Sequence, residues 1–328
     1  MNPRPVAAST PVTDRFFAII NPAAGGGRCG KLAPGAIDRL QRYGVGIQVM
    51  RTSRPGEATE LTREAYANGY RKFLAIGGDG TAFEIINGLF PESLTQGRAT
   101  LGFLPLGTGN SFLRDFSSNG IEHSTEALRE GRHRPCDVIR LRYSGTAATG
   151  GRDSSARLGA SDGAIYFMNL LSLGFPAEVG AQTNRRFKRW GEFGYILGVL
   201  AELLRLRHLA FAHRLDAAID WDRRECLFLT FSNSKFTGGK MMIAPHADPA
   251  DAKIEYVRWS PIGRLRLLWL FPRLFSGTHV RHPLASRAAA SRVELDLQGP
   301  VNAMIDGEIL TLHCRSLEIL PGALDVAV

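Results

Sequence analysis

Along the first third of the chain, short apolar runs alternate with stretches whose apolar residues recur every three or four positions. Residues 15–20 (Arg-Phe-Phe-Ala-Ile-Ile), 73–76 and 100–104 read as strands buried on both faces, and 45–50 alternates like a further strand. Between them, 32–43, 57–68 and the stretch from Ala82 to Gly88 carry the spacing of helices that bury one side. This alternation predicts a parallel sheet with helices packed on it. Three of the strands empty into glycine-rich corners: Asn21-Pro22-Ala23-Ala24-Gly25-Gly26-Gly27, Gly77-Gly78-Asp79-Gly80-Thr81, and Pro105-Leu106-Gly107-Thr108-Gly109-Asn110. In an open parallel sheet such corners gather at the carboxyl edge, where ligands bind. After Cys136 the pattern becomes strand-rich, with 137–143 and 164–173 as strands joined by a Gly/Ser/Ala-rich loop, 144–163, expected to be mobile. Residues 195–206 read as an apolar helix flanked by Arg185, Arg186, Lys188, Arg189, Arg205 and Arg207, too short to span a bilayer.

The central corner carries the most chemistry. Glycines let backbone N–H groups approach an oxyanion, and the helix start behind them adds unpaired N–H groups and a partial positive charge. Asp79 would repel bare phosphate, so its presence calls for a cation or a ribose beside it. The bland reading is a glycine turn with Asp79 as helix cap. Two familiar nucleotide signatures are absent. Gly25 to Lys31 satisfies G-x-x-x-x-G-K, but Leu32 follows where a P-loop places the magnesium-holding Ser or Thr. The dinucleotide pattern G-x-G-x-x-G occurs in none of the three corners, which lowers a dehydrogenase reading.

A net charge of +9 and a pI near 9.7 imply an anionic partner: nucleotide, nucleic acid or an anionic membrane. The stretch from Arg258 to Arg292 holds seven arginines and no Asp or Glu, interleaved with Trp259, Trp269, Phe271 and Phe275. That mixture suits anionic lipid headgroups and single-stranded nucleic acid alike. Cys29, Cys136, Cys226 and Cys314 are scattered, without a Cys-x-x-Cys pair, which argues against zinc and a disulfide framework and fits a reducing cytosol. Residues 1–14 are Pro/Ser/Thr-rich and read as a disordered lead-in.

Asn21-Pro22 with its glycines, Gly77-Gly78-Asp79-Gly80-Thr81 and Leu104-Pro105-Leu106-Gly107-Thr108-Gly109-Asn110 together resemble the diacylglycerol kinase catalytic family, which includes bacterial lipid kinases and the sphingosine and ceramide kinases. The second of these motifs is shared with NAD kinases; the third is far more specific to lipid kinases. Asn169-Leu170-Leu171-Ser172-Leu173-Gly174-Phe175 resembles the family's opening of the second domain, although strand-end capping explains Asn169 and Ser172 about as well.

The resemblance implies an α/β nucleotide-binding domain of the NAD kinase/diacylglycerol kinase type, three-layered with a parallel sheet, over residues 15–136. Residues 315–328 would complete it, and 137–314 would form a β-rich sandwich that binds lipid. It implies ATP and Mg2+ as cofactors. Asn21, Pro22, Gly25, Gly26, Thr52, Gly77, Gly78, Asp79, Gly80, Thr81, Glu84, Thr108, Gly109 and Asn110 would surround the nucleotide, with Asp79 facing its magnesium. Pro245 to Lys253 resembles a loop holding a structural magnesium, with Asp251 as the carboxylate and Asp248 and Lys253 supplying backbone oxygens; Ala250 and Ala252 depart from the family's Asp and Gly. In Ile305-Asp306-Gly307-Glu308, Glu308 would accept the proton of a lipid hydroxyl with Asp306 beside it; without the resemblance, Asp-Gly-Glu reads as a hairpin turn. Phe83 and Ser111 stand where the diacylglycerol enzymes carry Asn and Asp.

The implied activity is transfer of the γ-phosphate of ATP to a lipid hydroxyl. Diacylglycerol is the first acceptor, with ceramide, a sphingoid base or phosphatidylglycerol as alternatives. A soluble NAD-type kinase and a catalytically idle lipid binder are the readings from other classes. The partners implied are an anionic membrane and no nucleic acid, a homodimer being left open. The location implied is cytoplasmic, peripheral to the inner face of the membrane.

Overall fold

The computed structural model describes residues 14–149, 162–182 and 203–328. Three sequence expectations therefore lie wholly or partly outside the described residues: the lead-in before Asp14, positions 150–161 of the loop, and the helix from Tyr195 as far as residue 202. The chain divides into two compact units, one comprising residues up to Thr108 with 119–134 and 325–328, the other 109–118 with 135–324.

The first unit runs β1 (Phe16–Ile20), α1 (Arg28–Arg42), β2 (Ile47–Arg51), α2 (Glu57–Ala67), β3 (Lys72–Gly77), α3 (Asp79–Leu89), β4 (Thr100–Pro105) and α4 (Gly120–Glu130). Its strands lie in the order β2-β1-β3-β4, all parallel. Ile20 is level with Arg51 and with Ile76, and Ile76 with Leu104, so the strand ends and the corners that follow them share one edge. Asp325 and Val326 pair in parallel with Thr100 and Leu101 beyond β4, anchored by an Arg98–Asp325 ion pair of 3.0 Å. Cys29, Ala33, Ile37 and Leu40 of α1 pack on Ala18, Ile20, Leu74 and Ile76 of the sheet. Helix α1 starts at Arg28, a turn before the sequence reading placed it, because its buried stripe reaches back to Cys29.

In the second unit, β5 (Arg134–Thr149), β6 (Gly163–Phe167), β7 (Leu170–Gly174), α5 (Phe175–Gln182), β8 (Phe228–Ser232) and β9 (Ile254–Trp259) come first. They are followed by α6 (Arg264–Leu270), α7 (Arg273–Ser276), β10 (Ala285–Ala290), β11 (Val301–Ile305) and β12 (Glu308–Val326). The antiparallel order is β10-β9-β8-β7-β11-β12, and β5 pairs with β12 and β6. Phe228 stacks on Trp259 at 6.0 Å in the core, where Leu267, Leu270 and Leu274 also lie. The second unit departs from the sequence reading in two places. Residues 144–149 continue β5 instead of opening a loop. The run 164–173 breaks at Met168-Asn169, where the backbone turns its N–H groups onto a buried carboxylate described below. All four cysteines are buried and unbridged. Among the described residues no helix is long and apolar enough to cross a membrane.

Candidate active site

In the first unit the three glycine corners touch through their backbones. The Gly107 N–H donates to Gly77 O at 2.7 Å, and a Cβ on Gly107 would lie 2.6 Å from Gly78 Cα and 2.7 Å from Gly78 N. A Cβ on Gly25 would lie 3.0 Å from Leu106 O, so the first corner leans on the third. Gly25, Gly26 and Gly27 have φ of 63°, 66° and 88°, a left-handed run that only glycine adopts without strain. Asn21 closes the same corner: its N–H donates to Ile76 O at 3.1 Å, and its Oδ1 accepts the Ala23 N–H at 3.1 Å. Pro22 lies in that turn, where its ring sets φ. Thr52 donates to Ile20 O through both its N–H (2.9 Å) and its hydroxyl (3.3 Å).

Helices α1 and α3 begin at these corners, with Gly27 and Gly78 as caps, and neither N-terminus is capped by a side chain. The bland expectation of Asp79 as an N-cap does not describe the fold: Gly78 is the cap and Asp79 the first residue of α3. Gly80 and Thr81 follow in the first turn; Thr81 is buried, and its hydroxyl has no partner among the described residues. Such an edge, with dense backbone donors and the positive end of two helix dipoles, suits a polyphosphate. Thr108 ends this unit, while Gly109 and Asn110 (φ 49°) group with the second.

Glu84 is placed differently from the other corner residues. Its carboxylate accepts the N–H of Gly56 at 3.0 Å and of Ala58 at 3.1 Å, capping α2 from α3. Burial foremost pushes its carboxyl above the usual range, and the two amides partly offset this. Glu84 therefore holds the segment after Thr52 in place. Phe83 is buried.

In the second unit Asp306 and Gly307, with φ of 48° and 89°, form a two-residue hairpin turn between β11 and β12, which places Glu308 exposed at the start of β12. The Asp306 carboxylate is buried. Oδ1 accepts the N–H groups of Asn169 and Leu170, both at 3.0 Å, and Oδ2 that of Met168 at 3.1 Å. Three amides on one carboxylate make it a clamp that fixes the hairpin against the entry to β7. The hairpin reading of Asp-Gly-Glu is borne out: the turn is real, and it sets the position of Glu308.

The loop from Pro245 to Lys253 is tied to Asp137. Asp137 Oδ2 accepts the Ala252 N–H at 2.7 Å, Oδ1 accepts the Gly322 N–H at 2.7 Å, and the Asp137 N–H donates to Pro249 O at 2.7 Å. Ala252 has φ 59°, the left-handed conformation that suits glycine, so the loop keeps its shape without it, at a strain of about 1 kcal/mol. Asp251 Oδ1 accepts the Lys253 N–H at 2.9 Å, and Asp248 Oδ1 accepts that of Ala250 at 3.1 Å. Burial, then the charges of Asp248, Asp137 and Glu255, hold the Asp251 carboxyl above its ordinary range. Among the described residues no three His, Cys, Asp or Glu side chains cluster to hold a metal. The donor set therefore fits only a hydrated hard cation, taking Asp251, backbone oxygens and water, drawn by that excess of negative charge.

Ser111 is buried and its hydroxyl accepts the Gly239 N–H at 3.0 Å, so it serves the packing of its own unit. Nearby, Asp115 pairs with Lys235 at 3.2 Å, and burial holds its carboxyl above the ordinary range. Sequence reasoning missed Asp137 and also Asn233, whose Nδ2 donates to Asp137 O at 2.9 Å and Met168 O at 3.0 Å. Asn169, for which strand-end capping and the family element stood about even, accepts the Ser234 hydroxyl through Oδ1. Ser172 is buried, and its hydroxyl has no partner among the described residues. For Asp137 the available signal was a lone acid among apolar neighbours, which marks a buried polar group in want of partners, whereas Asn233, between Ser232 and Ser234, offered none.

Residues 15–141 match the family model of the diacylglycerol kinase catalytic domain, and residues 169–328 that of the YegS C-terminal NAD kinase beta sandwich-like domain. The chain is similar to a diacylglycerol kinase of Mycobacterium tuberculosis, 28% identical over 95% of this chain and 94% of that one. A probable lipid kinase YegS-like protein of Alcanivorax borkumensis is 26% identical over 88% and 89%. A solved diacylglycerol kinase structure from Bacillus anthracis overlays with a TM-score of 0.65 at 18% identity, over 96% of each chain, which supports the fold.

Proposed function

From the premise that the chain belongs to the diacylglycerol kinase catalytic family and is a lipid kinase, we propose that it transfers the γ-phosphate of ATP to a hydroxyl of diacylglycerol. The observation that carries the nucleotide half is the backbone contact of three glycine corners at one sheet edge, with two helix N-termini opening there.

In this reading the N–H groups of the corners at 21–27 and 77–81 hold the triphosphate, with Asn21, Pro22, Gly25 and Gly26 shaping one wall and Gly77, Gly78, Gly80 and Thr81 the other. Thr52 and Thr108 donate hydroxyls, Gly109 and Asn110 continue the lining, and Glu84 keeps the Thr52 side in register. Asp79 would face nucleotide-bound magnesium; when bound, that ion supplies neutralisation of charge on the phosphates. A second magnesium would rest on Asp251 with backbone oxygens of Asp248 and Lys253. Glu308 takes the proton of the acceptor hydroxyl as it attacks phosphorus, and the bond to ADP breaks. Asp306 acts through Glu308 as a positioning residue. The product is a phosphorylated lipid of the kind used in phospholipid biosynthesis. Catalysis takes place peripherally, at the cytoplasmic face of an anionic membrane.

The test is incubation with labelled ATP, magnesium and separate acceptors: diacylglycerol, ceramide, sphingosine, phosphatidylglycerol and NAD. Label on diacylglycerol supports the proposal. Label on another lipid moves the acceptor within the same reaction class, label on NAD overturns the lipid reading, and label on none leaves an idle binder. Glu308→Gln should abolish turnover while ATP affinity stays within about twofold; equal loss of both would make Glu308 structural.

A further inference from the structure

We infer that the outer face of α6 and α7 is a docking surface for an anionic lipid bilayer, a role that rests on the lipid-kinase reading only for the reason a bilayer is met. Leu267, Leu270 and Leu274 point into the core of the second unit. The other side of the same short helices leaves Leu265 84%, Trp269 71%, Leu268 49% and Phe275 47% exposed. Single exposed apolar residues are ordinary; four within eleven positions of one amphipathic segment form a patch.

The charge around the patch selects the occupant. Arg264, Arg266 and Arg273 interleave with it, and the Arg273 guanidinium sits 5.4 Å from the centre of the Trp269 ring. None of these three forms an ion pair among the described residues, whereas elsewhere arginines are paired, Arg224 with Asp222 and Arg129 with Glu130 at 2.6 and 2.8 Å. The uncompensated field is felt locally: His282 is held below its usual pKa by partial burial and by Arg266 and Arg273. His208 Nε2 lies 3.1 Å from Ile262 O, which ties the segment carrying Arg205 and Arg207 to the residues just before α6. Unpaired arginines around tryptophan, leucine and phenylalanine match an element that lies in the headgroup layer, with its apolar face toward acyl chains. A second copy of the chain would bring like charge against like. A nucleic-acid platform would call for successive aromatics in place of leucines.

The experiment is sedimentation of the full chain with vesicles of phosphatidylcholine, with and without phosphatidylglycerol. Binding should require phosphatidylglycerol and weaken with salt. Combined Arg264→Gln, Arg266→Gln and Arg273→Gln should lower partitioning about a hundredfold, at about fivefold per arginine, while the three corresponding Lys substitutions should retain most of it. Leu265→Ala with Trp269→Ala should lower it about tenfold. Ile219→Ala, at an exposed apolar position outside α6 and α7, should change nothing. Vesicle binding unchanged by the Gln substitutions, or equal on pure phosphatidylcholine, overturns the inference. So does loss, with those substitutions, of binding to a single-stranded oligonucleotide or of self-association in a protein that binds no vesicle. Turnover on a short-chain diacylglycerol in detergent micelles separates this from the kinase proposal. Docking variants should keep that turnover. Vesicle binding without any turnover would sink the kinase reading alone.

Discussion

Asp306→Asn tests whether the acid beside Glu308 is chemistry or scaffold. In the native fold its two oxygens accept three backbone N–H groups, from Met168, Asn169 and Leu170, at 3.0–3.1 Å. Asparagine has the same shape but one acceptor oxygen. Placed to keep the Asn169 and Leu170 bonds, it turns an NH2 group toward the Met168 N–H, donor against donor. The substitution removes one charge-assisted bond, weakens two more by removing the charge, and leaves a buried amide unpaired, for a loss of about 3 kcal/mol. With a urea slope of about 2 kcal/mol/M for a unit of this size, the midpoint should fall by about 1.5 M. On the proposed mechanism turnover should fall as the hairpin carrying Glu308 loosens, while the KM for ATP stays near wild type. Urea unfolding followed by fluorescence, with kcat and KM from one preparation, decides the matter. Stability within 0.5 kcal/mol of wild type alongside a hundredfold drop in kcat would refute the clamp and make Asp306 a participant in the reaction.

Gly107→Ala drives a Cβ into Gly78 and should cost about 1–3 kcal/mol; differential scanning calorimetry and ATP titration should show a lowered melting temperature and weaker nucleotide binding, and a variant unchanged in both would deny that the corners touch. Glu84→Ala strips the acceptor from the Gly56 and Ala58 amides and should destabilise by about 1–2 kcal/mol without altering kcat at saturating ATP; loss of kcat alone would place Glu84 in the chemistry. Asp222, bonded to Arg224, titrates at about 2 instead of its ordinary 3.8. A depressed carboxylate stabilises the fold above its unfolded value and loses that contribution as pH falls through its folded one. The stability difference between wild type and Asp222→Asn should therefore be constant above about pH 5 and close as pH approaches 2; a gap independent of pH would contradict the assignment. EDTA titration followed by thermal melting should lower the second unit's melting temperature in wild type and leave Asp251→Asn unaffected; equal shifts would remove Asp251 as the cation's carboxylate.

Glycine at a strand end is readable without a fold, because its meaning is local: a left-handed φ at Gly25–Gly27 and a backbone approach at Gly107 are demands that other residues meet only with strain. The same holds for apolar periodicity, which placed β1 to β4 and α1 to α3 to within about a turn, while α4 was not read from it. The Asp-Gly pair at 306–307 likewise announced its hairpin, since both positions take positive φ. Carboxylates are the opposite case. Asp79, Glu84, Asp137, Asp251, Asp306 and Glu308 are chemically alike along the chain, and what each does depends on what surrounds it after folding. Glu84 meets amides 26 and 28 residues away, Asp306 meets amides 136 to 138 away, and Asp137 meets amides 115 and 185 away. The order of residues alone determined where the corners and elements lie, because torsional limits and burial period act over a few residues. Which acids became scaffold and which stayed exposed was decided only by tertiary structure, because a carboxylate's state follows from partners that the chain brings from far away.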